Sequence, residues 1–175
     1  GFDFDAKGHL IAADAVKGLL SIAPDKSIKL LTDKVDVNGQ PDPIRYADAV
    51  VVAKNGKMYF SDASRRFAPK DWGGTFEASV FDIMEASSTG RILEYDPATR
   101  ATRVVAKGMS FANGVALSQD QQVLFVNETG KFRLWRISVT AQDLDVTQPN
   151  HLSSVLLDNL PGYPDNLMRG LDGKI

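Results

Sequence analysis

Four stretches of the chain repeat one pattern: an alternating apolar run, a tight polar turn, and a second alternating run ending on an acidic or amide side chain. They are "FDFDAKGHLIAAD", "AVVVAKNGKMYFSD", "VALSQDQQVLFVNE" and the unfinished "LMRGLDGKI". The turns "AKG", "KNG", "SQDQ" and "LDG" carry the Gly, Asn and Asp that short hairpins need where φ is positive. With Leu10, Met58, Leu124 and Ile175 as equivalent points, the steps are roughly 48, 66 and 51 residues, a spacing that suits four-stranded propeller blades. The long middle step has to contain an insertion.

Each hairpin is followed by two more strand-like runs: "GLLSIAP" and "SIKLLTD", then "GRILEYDP" and "TRVVAKG", then "KFRLWRISV" and "SSVLLDNL". Four strands per unit make an antiparallel meander that buries its faces only by stacking on its neighbours. A β-sandwich predicts neither a fixed period nor a repeated signature at strand starts. The expected fold is all-β: about three blades of a propeller, at about 1–46, 47–112 and 113–164, with the next beginning over 165–175. Because the chain starts and stops inside repeat units, the natural protein is expected to be longer at both ends. The insertion "RFAPKDWGGTFEASVFDIMEASST" places Phe76, Val80, Ile83 and Met84 at helical spacing. Two roles are open to that short helix: covering the outside or one end of a blade, or holding Trp72, Phe76 and Met84 as a lid over a pocket.

With 20 basic and 22 acidic side chains, the chain has no electrostatic footprint for nucleic acid or an anionic membrane. The absence of cysteine removes disulfides, thiolate metal sites and cysteine nucleophiles, and leaves cytoplasm and periplasm both open. No apolar run approaches the ~20 residues of a membrane span, and no secretory leader precedes the first strand. The two histidines, His9 and His151, make a poor start for a triad or a zinc site. No phosphate-cradling glycine loop precedes a helix.

Superimposing the repeats puts Ala47, Asn113 and Asp165 at the residue that opens the innermost strand of successive blades, with Asp48, Gly114 and Asn166 beside them. Inner-strand starts converge around one mouth of a propeller's channel. Amide and carboxylate oxygens meeting there suit a hard cation such as Ca²⁺, which takes about 6–8 oxygen ligands. The alternative is that Asn113 and Asp165 simply cap turns. Asp14, Asp62 and Glu128 end the next strands outward, where a carboxylate often receives backbone N–H groups. Asp62 is the functional candidate among them, because "SDASRR" also brings hydroxyls and cations.

The run "GRILEYDPATRATRVVAKGMSFANGVALSQDQQVLFVNETGKFRLWRI" followed by "LPGYPDNLMRGLDGKI" resembles the strictosidine synthase-like proteins, relatives of the gluconolactonase, regucalcin and paraoxonase propellers. The likeness extends to "ADAVKGLL" and "MYFSDASRRF". It implies a six-bladed β-propeller, of which this chain would supply about three blades. In the metal-dependent relatives a Ca²⁺ sits in the channel; by resemblance Asn113 matches the "F-x-N-G" ligand, and Asp165 with Asn166 the "D-N" pair. Ala47 stands where an Asn of an "N-D" pair is expected, and an early Glu ligand is not in the sequence, so a weak calcium site is expected.

Lactonases and esterases of this group use the metal as a Lewis acid on a carbonyl. The leading expectation is a metal-assisted hydrolase of a small lactone or ester, with Asp165 orienting or activating the attacking group and Asp62 accepting a proton. The plant synthases instead condense an amine with an aldehyde, using a Glu on a late blade. A non-catalytic propeller that binds a ligand or partner is the third possibility, and Ala47 favours it. Three blades alone leave apolar faces uncovered, so a homodimer closing the ring is a further expectation.

Overall fold

The computed structural model describes residues 1–170 and 172–175. The first sheet has the order β1 (Phe2–Phe4), β2 (Leu10–Asp14), β3 (Gly18–Ile22), β4 (Ile28–Thr32), all antiparallel neighbours. A two-stranded ribbon follows, β5 (Lys34–Val37) and β6 (Gln40–Pro43). The sequence reading did not find it, although "VNGQ" holds the Asn-Gly of a type I′ turn: Asn38 and Gly39 both take positive φ, 54° and 77°.

The second sheet contains β7 (Ala47–Val52), β8 (Met58–Asp62), β9 (Gly90–Asp96) and β10 (Ala101–Met109), with α1 (Thr75–Glu85) inserted after β8. The third contains β11 (Ala112–Leu117), β12 (Val123–Glu128), β13 (Arg133–Ser138) and β15 (Ser153–Leu157). Between β13 and β15 the chain crosses back, and β14 (Leu144–Asp145) adds to β10 as a parallel fifth strand of the second sheet. That staple between neighbouring sheets has no counterpart in the repeat pattern.

The hydrogen bonds show the repeat more sharply than the strands do. Asp5 N–H donates to the His9 carbonyl (3.0 Å) and Gly8 N–H to the Asp5 carbonyl (3.0 Å). The same two bonds join Ala53, Lys57 and Gly56 (2.8 and 2.8 Å), then Ser118, Val123 and Gln121 (2.8 and 2.9 Å). They recur at Gly170, Lys174 and Gly173 (2.8 and 3.0 Å). The expected hairpin of the fourth unit runs through Leu171, which lies outside the described residues, but the bonds of its turn are present.

Packing is face to face, as stacked blades require. Ile11, Leu19, Val50, Phe60 and Leu93 fill the space between the first and second sheets. Ile92, Met109, Val115, Leu124, Trp135 and Ile137 fill that between the second and third. Strands alternate because each presents one set of side chains to each interface. The result is an arc of three propeller blades. Large apolar side chains stay exposed on the first sheet, at Phe2, Phe4, Ile28 and Leu30, and on the third, at Leu156 and Leu157.

The helix lies where its spacing put it, with part of the expected apolar stripe inward. Val80 and Ile83 are half-buried, Ile83 against the core, whereas Phe76 and Met84 are exposed and the fully buried residues are Ala78 and Asp82. Tyr46, Phe67 and Phe111 form the platform beneath, and their bulk leaves room only for a small side chain at the contact.

Candidate functional site

The strand-end carboxylates are structural ties. Asp62 Oδ1 accepts the N–H groups of Tyr46 (2.8 Å) and Arg45 (3.1 Å), and its Oδ2 accepts Arg91 Nε–H (2.9 Å). Glu128 does the same one blade on, accepting Ser110 N–H (2.8 Å), Arg133 Nε–H (2.6 Å) and Trp135 Nε1–H (2.6 Å). Both carboxylates are fully buried. Each therefore anchors the chain entering its blade's innermost strand. Asp14 accepts Val16 and Lys17 N–H within its own turn. The oxygens of Asp62 are committed to these partners, and Asp62 does not line the cavity described below.

The register corrects one expectation, the alignment of Ala47 with Asn113. Ala47 pairs with Asp62 across β7 and β8, and Ala112 pairs with Glu128 across β11 and β12. Both pairs are followed by the same irregularity before regular pairing resumes at Val50–Phe60 and Val115–Val126. The partner of Asn113 in the second blade is therefore Asp48. Counting back the same number of positions from the turns at Ala53, Ser118 and Gly170 reaches Asp48, Asn113 and Asp165. A slip of one residue moves a side chain to the opposite face of a strand. Ala47 packs with Ile11, Val50 and Phe60 where the core borders the cavity described below, and the oxygen-bearing side chain at this position is that of Asp48.

Asp48, Asn113 and Asp165 line one cavity of about 460 Å³, with Tyr46 and Phe111 as its aromatic side and Phe76 reaching in from α1. Of the lid candidates, only Phe76 is at the cavity; Trp72 packs on Phe67 and Phe81, at 5.0 and 5.3 Å between ring centroids. Asn166 is exposed and does not line the cavity.

Asp165 is held by its backbone. Its carbonyl accepts Gly114 N–H (3.0 Å) and Asn127 Nδ2–H (2.7 Å), while Thr129 Oγ1–H donates to the Pro164 carbonyl (2.7 Å). A Cβ on Gly114 would lie 2.3 Å from the Asp165 oxygen and 2.4 Å from Leu167 N, so this approach requires glycine. The "N-G" of "FANGVAL" thus does two jobs: Asn113 faces the cavity and Gly114 admits the next blade. Asn127 and Thr129 were not singled out from the sequence; Asn127 lies in β12 and Thr129 directly after it, where the polar "NET" closes an apolar run.

The electrostatics are those of a site with excess negative charge. Burial pushes the Asp48 carboxyl up to about 6, and Asp165 adds to the upward push. Asn113 is buried, and its Oδ1 has no hydrogen-bond partner among the described residues. A buried amide oxygen without a donor is costly, and a cation removes that cost. Two carboxylates and an orphaned amide oxygen form a hard, oxygen-only donor set, so these residues fit a cation of the calcium type. They form a partial shell: among the described residues no group of three or more His, Cys, Asp or Glu side chains converges.

Comparison with known proteins places this geometry. The strictosidine synthase family model matches residues 48–142. The protein STRICTOSIDINE SYNTHASE-LIKE 4 of Arabidopsis thaliana is 38% identical over 99% of this chain, and the chain spans 42% of that relative's length. The adipocyte plasma membrane-associated protein of Mus musculus is 31% identical over 95% of the chain and 37% of its own length. A gluconolactonase from Xanthomonas campestris superposes with a TM-score of 0.69 at 17% identity, over 95% of this chain and half of that one. Regucalcin from Agrobacterium tumefaciens, a calcium-binding protein, gives 0.55 at 13% identity, over 91% of this chain and 45% of that one. These structures share the β-propeller fold. The model match covers more than half of the chain, and the chain belongs to the strictosidine synthase family.

Proposed function

We propose that the protein is a cation-assisted hydrolase of small lactones or esters, with its reaction centre in the cavity bounded by Asp48, Asn113 and Asp165. The observation that carries this reading is the buried, unpartnered Oδ1 of Asn113 beside two carboxylates. Asp48 and Asn113 would hold a calcium-type cation with Asp165. Once bound, that ion supplies Lewis-acid polarisation of a carbonyl oxygen.

The chain's own residues have distinct tasks. Asp165, exposed and fixed through its backbone, orients the attacking water and takes its proton. Asp48 supplies negative charge to the cavity lining. Tyr46 is not a free acid: its hydroxyl donates to the Thr75 carbonyl (2.9 Å), and burial pushes its pKa upward. Asp62 acts at one remove, holding the Tyr46 backbone.

A non-catalytic, ligand-binding propeller is the second reading, favoured by the small number of carboxylates in the cavity. Hydrolysis of γ-butyrolactone and phenyl acetate by the intact protein, with and without calcium, separates the two. Calcium-dependent turnover that Asp165→Asn abolishes is expected. Calcium binding without turnover of any lactone or aryl ester contradicts the hydrolase.

A further inference from the structure

We propose that Phe76 is the specificity-determining residue of this cavity, and that the preferred ligand carries an aromatic or branched alkyl group next to its carbonyl. The inference rests on the cavity reading above and adds the substrate class to it.

Phe76 is 74% exposed, although it belongs to a helix with an aromatic platform available beneath it. A ring left in water by the fold is free to be covered by a ligand, and the apolar area removed from water sets what that is worth. Its position is directed: Phe76 lines the same cavity as Asp48, Asn113 and Asp165. The first blade contributes Gly1, Ala13 and Ala15 to the lining, residues small enough to leave room for a bulky group. The lining thus combines carboxylate and amide oxygens with the rings of Tyr46, Phe76 and Phe111, which suits a molecule that carries both a carbonyl and an apolar group.

The support of the ring is rigid. The first helical residue, Thr75, receives the Tyr46 hydroxyl on its carbonyl (2.9 Å). Further along α1, Ala78 and Ile83 pack against Tyr46, Phe67 and Phe111, and Glu85 in the last turn pairs with Arg66 (2.8 Å). The helix is therefore tied down near both ends while Phe76 projects from its first turn. A ring on a fixed element discriminates between ligands better than one on a loop, because little ordering entropy is lost on binding.

The test uses neutral amides, which present the carbonyl of an ester without being turned over: acetamide, 3-methylbutanamide and phenylacetamide, titrated calorimetrically into the intact, calcium-loaded protein. Phenylacetamide is expected to bind about tenfold more tightly than acetamide, a difference of the size one covered ring supplies. Phe76→Ala is expected to reduce that ratio to near one with acetamide unchanged, and Phe76→Leu to keep the preference for 3-methylbutanamide. Equal binding of the three amides by the wild type overturns the proposal, as does a ratio that survives Phe76→Ala. Because the readout is binding, the two readings fail separately. Selectivity lost in Phe76→Ala without any ester turnover supports Phe76 and sinks the hydrolase, whereas turnover with no amide selectivity does the reverse.

Discussion

Asp48 and Asn113 occupy the same register position in neighbouring blades, each following the alanine that pairs with a buried strand-end carboxylate. Their side chains face one cavity because a shared backbone irregularity follows both, and Asp165 continues the series on the next strand start. A carboxylate, an amide and a second carboxylate thus stand at successive positions around the channel mouth.

Ala47→Asn should not improve cation binding. Ala47 is 1% exposed and packed against Ile11, Val50 and Phe60 where it borders the cavity, so the larger side chain has to displace core neighbours at a cost of about 1–3 kcal/mol. Calcium titration and thermal unfolding of the variant check this: affinity no better than wild type, and a lowered Tm. Tighter binding would restore Ala47 as the lost ligand position.

Gly114→Ala should damage both stability and the site. The new Cβ meets the Asp165 carbonyl and Leu167 backbone, which must withdraw, at a cost of about 1–3 kcal/mol in strain and the loss of one inter-blade hydrogen bond. Weaker calcium binding together with a lower midpoint in urea is expected. An unchanged affinity would show that the position of Asp165 does not matter to the site.

The blade pattern was legible because the hairpin turns recur with their own chemistry, and the same paired hydrogen bonds close all four. Asn113 and Asp165 could be picked out because a polar residue at the start of an apolar strand is conspicuous. Asp48 was not assigned, since aligning repeats by eye on "YADAV" and "FANGV" absorbs a one-residue slip that only strand register exposes. Counting from the turns would have found it. The parallel staple β14 was invisible for another reason: two residues carry no periodicity, and their pairing is decided by the neighbouring sheet. The exposure of Phe76 and Met84 was not legible because the platform under α1, Tyr46, Phe67 and Phe111, is assembled from three separate loops.

Glu128→Ala should be among the most destabilising single changes in the chain. It strands the Arg133 guanidinium, the Trp135 indole N–H and the Ser110 N–H together, and breaking a buried pair from one side costs about 3–5 kcal/mol. Unfolding in urea gives the number directly. A loss below about 1 kcal/mol would mean that the tie is not structural.

Calcium stabilisation should depend on pH with a known sign. The folded-state value of Asp48, about 6, lies above its ordinary 3.8, so its contribution to stability is fully present below about 3.8 and is lost as pH rises through about 6. The ionised form that costs stability is the form that binds a cation. The calcium-induced rise in Tm should therefore be large near pH 7.5 and small near pH 5, and Asp48→Asn should flatten that dependence. An equal rise at both pH values would exclude Asp48 as a ligand.

Calorimetric titration of calcium into the intact protein, its Asn113→Ala variant and its Asp48→Asn variant tests the cation site directly. One binding event in the wild type, weakened about tenfold or more by each substitution, is the expected result, since each removes or neutralises one oxygen of a shell that needs several. A wild type that binds no calcium, or two variants that bind it as tightly as the wild type, would contradict a cation site at the mouth of this channel.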